Sequence, residues 1–431
     1  VSSLNCTLSV WEDVLAQLRR KSTSWKGNSL SDRDLDTYTE ALVLCSLHLV
    51  DMSTRYGGIG NHREIVAWAN NMVTLDVHDL GSCLSDAVTL LRSVVEPTTY
   101  SWFKRQLSGE YPFIGVLLAP IRGALREFLS EPSARGFYPC YQFLSFLTHL
   151  SLEDLRVDME SEYEETEAYL RRLSYEPNML KSMNGIMREW MKDFSLTEEN
   201  FSPMHGPGSI AEPFSKDVPL EKYRFLGSDA LIDYVFSKHA GIDVSSYFPF
   251  FPQKWERVSK LVSVPKSMKT RRTISKEPAT LMYLQEGVSH SLVDYIHHHP
   301  YLSRRINLAV QELNADLAIK SSATGDFATI DLSSASDTVT HQLVKAVFRG
   351  TPVYPYLVAL RSHSTELPSG KVLRLAKYAP MGSALCFPVE TLIFACAVEY
   401  AVRRAQRTWL GFFPEYRVYG DDIIVRTPIF H

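Results

Sequence analysis

The stretch Glu415-Tyr416-Arg417-Val418-Tyr419-Gly420-Asp421-Asp422-Ile423-Ile424-Val425-Arg426 decides how the rest of the chain is read. Glu415 to Val418 and Ile423 to Arg426 have the apolar character of strands. Tyr419, Gly420, Asp421 and Asp422 form a tight turn between them, with glycine supplying backbone angles that other residues resist. A Gly-Asp turn is common and is often no more than a turn. Two adjacent carboxylates between apolar strands repel each other, however, unless a cation sits between them.

Working back from the turn, the chain alternates helix and strand. Phe387 to Arg404 reads as a helix with Pro388 in its first turn, where proline is tolerated. Leu367 to Leu375 reads as a hairpin around Pro368, Ser369 and Gly370. A helix starting near Ser336 carries Val339, Leu343, Val344 and Val347 on one stripe. Before it, Phe327 to Leu332 is a short strand with Asp331 near its end. Asp331 and Asp421 on neighbouring strand ends could hold two Mg²⁺ ions roughly 3.5–4 Å apart. Met381-Gly382-Ser383-Ala384 opens the Phe387 helix. Its small residues allow a close backbone approach, although Ser383 as an ordinary helix cap explains it equally well.

A second concentration of charge lies upstream. Lys254, Arg257, Lys260, Lys266, Lys269, Arg271, Arg272 and Lys276 face one acid, Glu256, for a local balance of +7. The segment reads as strand or extended loop. Arginine forks match phosphate oxygens, and a solvated basic surface is the plain alternative. Globally the chain gives no such sign: 45 basic and 49 acidic residues leave a net charge of −4.

The first half is mostly helical, with Leu35, Tyr38, Leu42 and Leu49 on one stripe, so the fold class is α+β. Glu153 to Arg172 is a charged helix whose eight acids up to Glu167 read as a solvated face. Breaks fall at Glu198 to Pro219, which includes His205-Gly-Pro-Gly208, and at Tyr247 to Pro252. The 431 residues, 45% hydrophobic, exclude global disorder. No apolar run is long enough for a membrane span. Cys6, Cys45, Cys83, Cys140, Cys386 and Cys396 lack metal or redox spacing and read as reduced core thiols. His297, His298 and His299 read as a helix end with exposed imidazoles rather than a metal tract, and His205 as structural. Trp255 and the Tyr-Phe-Pro run read as packing.

Asp331-Leu-Ser-Ser-Ala-Ser-Asp337, Pro380-Met-Gly-Ser-Ala-Leu-Cys-Phe-Pro-Val-Glu390 and Tyr419-Gly-Asp-Asp422 resemble motifs A, B and C of a viral RNA-dependent RNA polymerase. More narrowly, they resemble the replicase of the positive-strand RNA bacteriophages, the leviviruses. Val264-Pro-Lys-Ser-Met-Lys-Thr-Arg-Arg-Thr-Ile-Ser-Lys-Glu-Pro278 resembles that family's basic motif F. The resemblance implies a right hand with an antiparallel palm sheet flanked by helices. A helix-rich region would span 1–200, fingers with motif F 201–326, and the palm 327–431.

By the same resemblance, Asp331, Asp421 and Asp422 would be catalytic and hold two Mg²⁺ ions, with Mn²⁺ as a substitute. Lys266, Lys269, Arg271 and Arg272 would meet the triphosphate, and Asp337, Gly382 and Ser383 the ribose. Met-Gly-Ser-Ala stands where better-known members have Met-Gly-Asn-Gly. Template and product RNA, NTPs and, by family analogy, host translation factors and a ribosomal protein are the implied partners. The implied location is the cytoplasm of an infected bacterium. Val1 and His431 are expected to be cut ends of a longer protein, with the thumb and later palm motifs outside this chain. A reverse transcriptase, a two-metal nuclease and a non-catalytic RNA-binding relative are the rivals. Small residues after Asp331 disfavour the first, the basic segment the second, and the intact aspartates the third.

Overall fold

The computed structural model describes residues 32–56, 59–72, 117–130, 134–148, 159–248 (except 216 and 228), 255–266, 271–310, 312–332, 334–405 and 415–430. They fall into two compact units: Val1–Val157 with Ser263–Arg272, and Asp158–Val262 with Thr273–His431.

The first unit is helical: α1 (Asp32–Arg55), α2 (His62–Met72), α3 (Arg122–Ser130) and α4 (Ala134–Thr148). Tyr38, Leu42 and Leu49 on α1 are fully buried, as their spacing predicts, while the side chain of Leu35 lies outside the described residues. Asn61 and Glu64 cap the start of α2 reciprocally, each backbone N–H donating to the other's side chain at 2.7 and 3.2 Å. Trp68 meets Phe143 edge-on with ring centroids 5.5 Å apart.

The second unit holds α5 (Met159–Leu170), α6 (Pro177–Met191), α7 (Ala230–Ala240), α8 (Ala279–His298), α9 (Glu312–Thr324), α10 (Ala335–Thr338), α11 (His341–Phe348), α12 (Tyr354–Ala359), α13 (Cys386–Arg404) and α14 (Thr427–Phe430). Its strands are β1 (Val258–Pro265), β2 (Arg271–Lys276), β3 (Phe327–Ile330), β4 (Ser364–Glu366), β5 (Val372–Arg374), β6 (Tyr416–Tyr419) and β7 (Asp422–Arg426), with β1 and β2 sharing residues with the first unit. They form two sheets, ordered β2-β1-β4-β5 and β3-β7-β6. The β1–β4 pairing is parallel, and β3–β7, β6–β7 and β4–β5 are antiparallel. This mixed architecture agrees with the α+β reading. Among the described residues no helix is long and apolar enough to cross a membrane.

Local chemistry starts and stops these helices. The Glu176 carboxylate accepts from Asn178 N at 2.8 Å and, closer still, from Met179 N, with Pro177 at the first helical position of α6. Asp229 caps α7, and Gly241 ends it in the left-handed region at φ +69°. Around them Trp190, Phe236, Phe348, Tyr356 and Tyr416 are the bulkiest buried side chains of one continuous core, which includes Leu392 and Ile393 of α13. Trp255, Tyr247 and Phe248 pack against it, as expected, while 249–254 lie outside the described residues. Cys45, Cys140, Cys386 and Cys396 are buried free thiols, and Cys6 and Cys83 lie outside the described residues.

Two expectations need correction. The helix expected from Ser336 is broken: α10 ends at Thr338, and α11 restarts after Thr340, whose hydroxyl accepts from Leu343 N at 3.0 Å. The break lets the backbone at 339–341 pair with 376–378. The acidic helix α5 is not simply a solvated face. Glu160 accepts from Ser369 N at 2.8 Å, Glu164 holds Lys371 at 2.7 Å with both oxygens, and Glu167 accepts from Ala376 N. Residues 160, 164 and 167 share one helical stripe, and that stripe docks along the β4–β5 hairpin and the strand exit that follows. Acidic character alone cannot distinguish this stripe from the solvated one beside it.

The stripe makes a testable contrast. The Glu164–Lys371 pair is half-exposed and is worth at most about 1 kcal/mol. The Glu167 and Lys377 side chains lie 3.7 Å apart and are both 0% exposed. Removing the Glu167 carboxylate leaves the half-buried Ala376 N–H without its acceptor and takes away one of the two carboxylates that face Lys377, at a cost of about 1–3 kcal/mol. Thermal unfolding should therefore show Glu164→Ala close to wild type and Glu167→Ala strongly destabilised. Equal melting temperatures for the two variants would refute this.

Candidate active site

The register of the three-stranded sheet brings the acidic residues together. Tyr419 pairs with Asp422, leaving Gly420 and Asp421 as the two-residue loop. Gly420 sits at φ +58°, and a Cβ there would lie 2.6 Å from Phe387 Cε2. Its N–H donates to Thr391 Oγ1 at 3.1 Å. Phe387 also meets Tyr419, ring centroids 5.1 Å apart. The turn is thus seated on the first turns of α13, and glycine is required by both backbone angle and space.

On the other side of β7, Ile330 pairs with Ile423. Asp331 follows Ile330 and Asp422 precedes Ile423, so both adjoin the last rung of the β3–β7 ladder. Both line a cavity of about 440 Å³ between the sheet and α9, together with Glu312, Asn314 and Thr329. Asn314 donates to the Asp422 carbonyl at 3.2 Å. Asp331, Asp421 and Asp422 are all exposed. Asp421, at the apex, is not part of that cavity lining. Its charge is felt instead by Glu390 of α13. Burial, and then Asp421, push the Glu390 carboxyl up to about 7.

These donors are all carboxylate oxygens, the type Mg²⁺ prefers, and the density of negative charge around Asp421 suits a cation. Among the described residues no three His, Cys, Asp or Glu side chains are already gathered as a metal site.

The residues expected near a ribose are placed differently from one another. Asp337 does not cap the α11 helix. It lies within α10, and its Oδ1 accepts from Lys377 Nζ at 2.7 Å. Ser383 donates to Gln285 Oε1 at 3.1 Å, and no hydrogen bond joins it to Asp337. The Ser383 hydroxyl also accepts from Leu385 N at 3.3 Å, a local cap just before α13 begins. Gly382 has φ +114°, and a Cβ there would come within 2.2 Å of the Ser275 carbonyl oxygen. The Met381 carbonyl accepts from Ser275 N at 2.8 Å. The 381–384 loop is therefore locked against β2.

In the basic segment Lys266 and Arg272 are exposed. Arg271 is partly committed, donating to Ser263 Oγ and, at 3.3 Å, to the Ser263 carbonyl. Lys269 and Lys254 lie outside the described residues. The three histidines do end α8; His298 is exposed, as expected, while the rings of His297 and His299 serve the backbone. His297 Nε2 accepts from Leu308 N at 3.2 Å, and His299 Nδ1 from Tyr301 N and Leu302 N, each at 3.2 Å. His205 packs between Tyr223 and Tyr283 at 5.0 and 5.2 Å. Burial, helped by Lys222, brings it down to about 4, in keeping with a structural, neutral imidazole.

Residues 243–431 match the sequence model of the family described as RNA replicase, beta-chain. Over these residues the chain is similar to RNA replicase beta-chains. It is 37% identical over 172 residues to the RNA-directed RNA polymerase beta chain of Enterobacteria phage fr, and 36% identical over 172 residues to that of Escherichia phage MS2. Each alignment covers 39% of this chain and 28% of the relative. The RNA-directed RNA polymerase subunit beta of Qbeta virus (strain MX1) is 36% identical over 169 residues, 39% of this chain and 27% of the relative. The aligned stretch thus spans less than a third of the length of each of these relatives.

Sequence reasoning missed the buried charges behind these residues: Glu390, Lys377 and Glu167. Glu390 closes the Pro380–Glu390 motif, and the signal was its position on the buried side of a helix, one turn past Cys386. Lys377 is the lone charge in Leu375-Ala-Lys-Tyr-Ala-Pro380, a placement that itself marks a charge needing a partner.

Glu390 gives the site a pH signature. Its ordinary value is 4.5, and the folded carboxyl binds its proton more tightly than the unfolded one. The folded state therefore takes up a proton between about pH 4.5 and 7, and stability falls as pH rises through that window. Glu390→Gln should flatten that slope and raise stability at pH 8 by on the order of 2 kcal/mol. Urea unfolding across the pH range checks this, and identical slopes in wild type and variant would refute it.

Proposed function

We propose that this chain carries the nucleotidyl-transfer centre of an RNA-directed RNA polymerase that copies a single-stranded RNA phage genome. The observation that carries the proposal is the placement of Asp331 and Asp422 at the last rung of the β3–β7 ladder and in one cavity lining, with Asp421 in the β6–β7 turn, in the order and spacing of replicase motifs. In the reaction an RNA 3′-hydroxyl oxygen forms a bond to the α-phosphorus of an NTP, and the bond to pyrophosphate breaks. Asp331, Asp421 and Asp422 would hold two Mg²⁺ ions, with Mn²⁺ as a substitute. Such ions, when bound, supply Lewis-acid stabilisation of the attacking and leaving oxygens.

The protein's own groups then bind and orient. Lys266, Lys269, Arg271 and Arg272 are assigned to the triphosphate, where fixed cations balance charge that grows on the transferring phosphates. Asp337 is assigned to the ribose 2′-hydroxyl, with Gly382 and Ser383 shaping the approach. The residues between Asp331 and Asp337 are small after Leu332, leaving room for that hydroxyl. The three-stranded sheet with α13 corresponds to the palm of a right-handed polymerase within 327–431, with fingers over 201–326 and a helix-rich region over 1–200. Template and product RNA are the macromolecular partners. Host translation factors and a ribosomal protein are further proposed subunits, in the cytoplasm of an infected bacterium.

In the full-length polypeptide, Asp331→Asn or Asp421→Asn should reduce labelled-nucleotide incorporation on an RNA template by at least about a thousandfold, with the melting temperature unchanged. Substantial synthesis by either variant in Mg²⁺ or Mn²⁺ would overturn the assignment. Asp337→Ala should lower the preference for ribonucleotides over deoxyribonucleotides, because a site built to bond a hydroxyl penalises its absence. A loss of thermal stability with that preference intact would make Asp337 purely structural.

A further inference from the structure

We infer that Lys377 is a positioning residue for sugar selection, holding Asp337 in the orientation that accepts a ribose 2′-hydroxyl. The inference rests on the polymerase reading of the site. Lys377 is fully buried, and its ammonium lies 2.7 Å from Asp337 Oδ1, 3.7 Å from Glu167 Oε1 and 4.0 Å from the Tyr163 ring centroid. Only the first is a hydrogen bond. Glu167 acts on the ammonium through charge, and its Oε1 has no hydrogen-bond partner among the described residues. Burial works to lower the Lys377 pKa, but Tyr163, Asp337 and Glu167 outweigh it and the net shift is upward, so the ammonium stays charged.

Geometry shows which partner depends on which. Lys377 is fixed by its backbone. Tyr378 N donates to the Val339 carbonyl and His341 N to the Ala376 carbonyl, each at 2.8 Å. The buried Arg361 guanidinium donates to the Lys377 carbonyl at 2.8 Å. Glu167 is fixed on a twelve-residue helix by its bond to Ala376 N. Asp337 has no such support. It sits in a four-residue helix that follows Ser334 in the left-handed region, φ 52°. A helix of one turn has almost no stability of its own. The direction of the Asp337 carboxylate is therefore set chiefly by Lys377.

What Lys377 leaves available is suited to a sugar. Its contact occupies Oδ1, while Oδ2 has no hydrogen-bond partner among the described residues, and the side chain is 28% exposed. Two carboxylates around one ammonium leave one negative charge over, and Asp337 is the member that reaches solvent. An ionised, oriented carboxylate is an acceptor only, which matches a hydroxyl and offers nothing to a deoxy sugar. An ion triad contributes little net stability compared with an apolar cluster of the same volume. Its orienting role accounts for the presence of these charges where packing alone would not.

The test compares single-nucleotide incorporation from an NTP and the matching 2′-dNTP by the full-length polymerase. The proteins are wild type, Lys377→Met, Glu167→Gln and the double variant, which removes both charges and so keeps the buried site neutral if Lys377→Met alone fails to fold. Lys377→Met and the double variant should lower the NTP/dNTP ratio of kcat/KM by about tenfold or more. Glu167→Gln should lower the melting temperature while keeping the ratio. Folded Lys377→Met or double variant with the wild-type ratio, NTP and dNTP rates falling together, would overturn the positioning role. Wild type adding no ribonucleotide to an RNA primer would overturn the polymerase reading and the positioning role with it. The two failures are therefore told apart by wild type alone.

Discussion

The burial of β7 on both faces is the constraint from which the site follows. Ile423, Ile424 and Val425 are consecutive and all buried. A strand can bury consecutive side chains only when both of its faces are covered. Here Ile423 and Val425 enter the core shared with α13, and α9 packs against β3 and β7. A slip of one residue would exchange the two faces and carry Asp422 with them. The apolar strand therefore fixes where its polar terminus stands, and the position of Asp331 beside Asp422 is a consequence of hydrophobic register. No attraction between the acids is needed to bring them together.

Charge is handled in two ways within one unit. At the strand ends it is left exposed. Behind them it is buried and compensated: Glu399 receives hydrogen bonds from Tyr301, Tyr416 and Arg403, and Glu277 accepts from Ser362 while burial pushes it up to about 7. Lys377 links the two regimes, buried itself but bonded to the half-exposed Asp337. Close backbone approach has the same division of labour. Gly420 lets the acidic turn rest on Phe387, and Gly382 lets the 381–384 loop reach the Ser275 carbonyl. Both glycines carry positive φ, so each answers a backbone demand as well as a steric one.

Much of the site was legible before any coordinates. The hairpin through Gly420, the Phe387–Arg404 helix, the Leu367–Leu375 hairpin and the strand before Asp331 all follow from short-range patterns of alternation, helical spacing and turn chemistry. So does the buried stripe of α1. The break between Thr338 and His341 was not legible in this way. Val339, Leu343, Val344 and Val347 fit one continuous helix, and only pairing with 376–378, some forty residues away, interrupts it. The same holds for α5: its five glutamates look alike until the hairpin selects Glu160, Glu164 and Glu167 from among them.

The sequence alone thus determined the α+β character, the strand-turn-strand element with its aspartates, and the ordered set of motifs in the segment similar to RNA replicase beta-chains. Each is written in residues close together in the chain, where backbone preference and side-chain period act directly. Tertiary structure decided which groups meet: Asp331 with Asp422, Ser383 with Gln285, Glu390 near Asp421, and Lys377 between Asp337 and Glu167. These contacts join residues from 31 to 210 positions apart. Their formation depends on burial that no local pattern encodes, because a charged side chain carries no mark of whether it will face water or a partner until the core around it has closed.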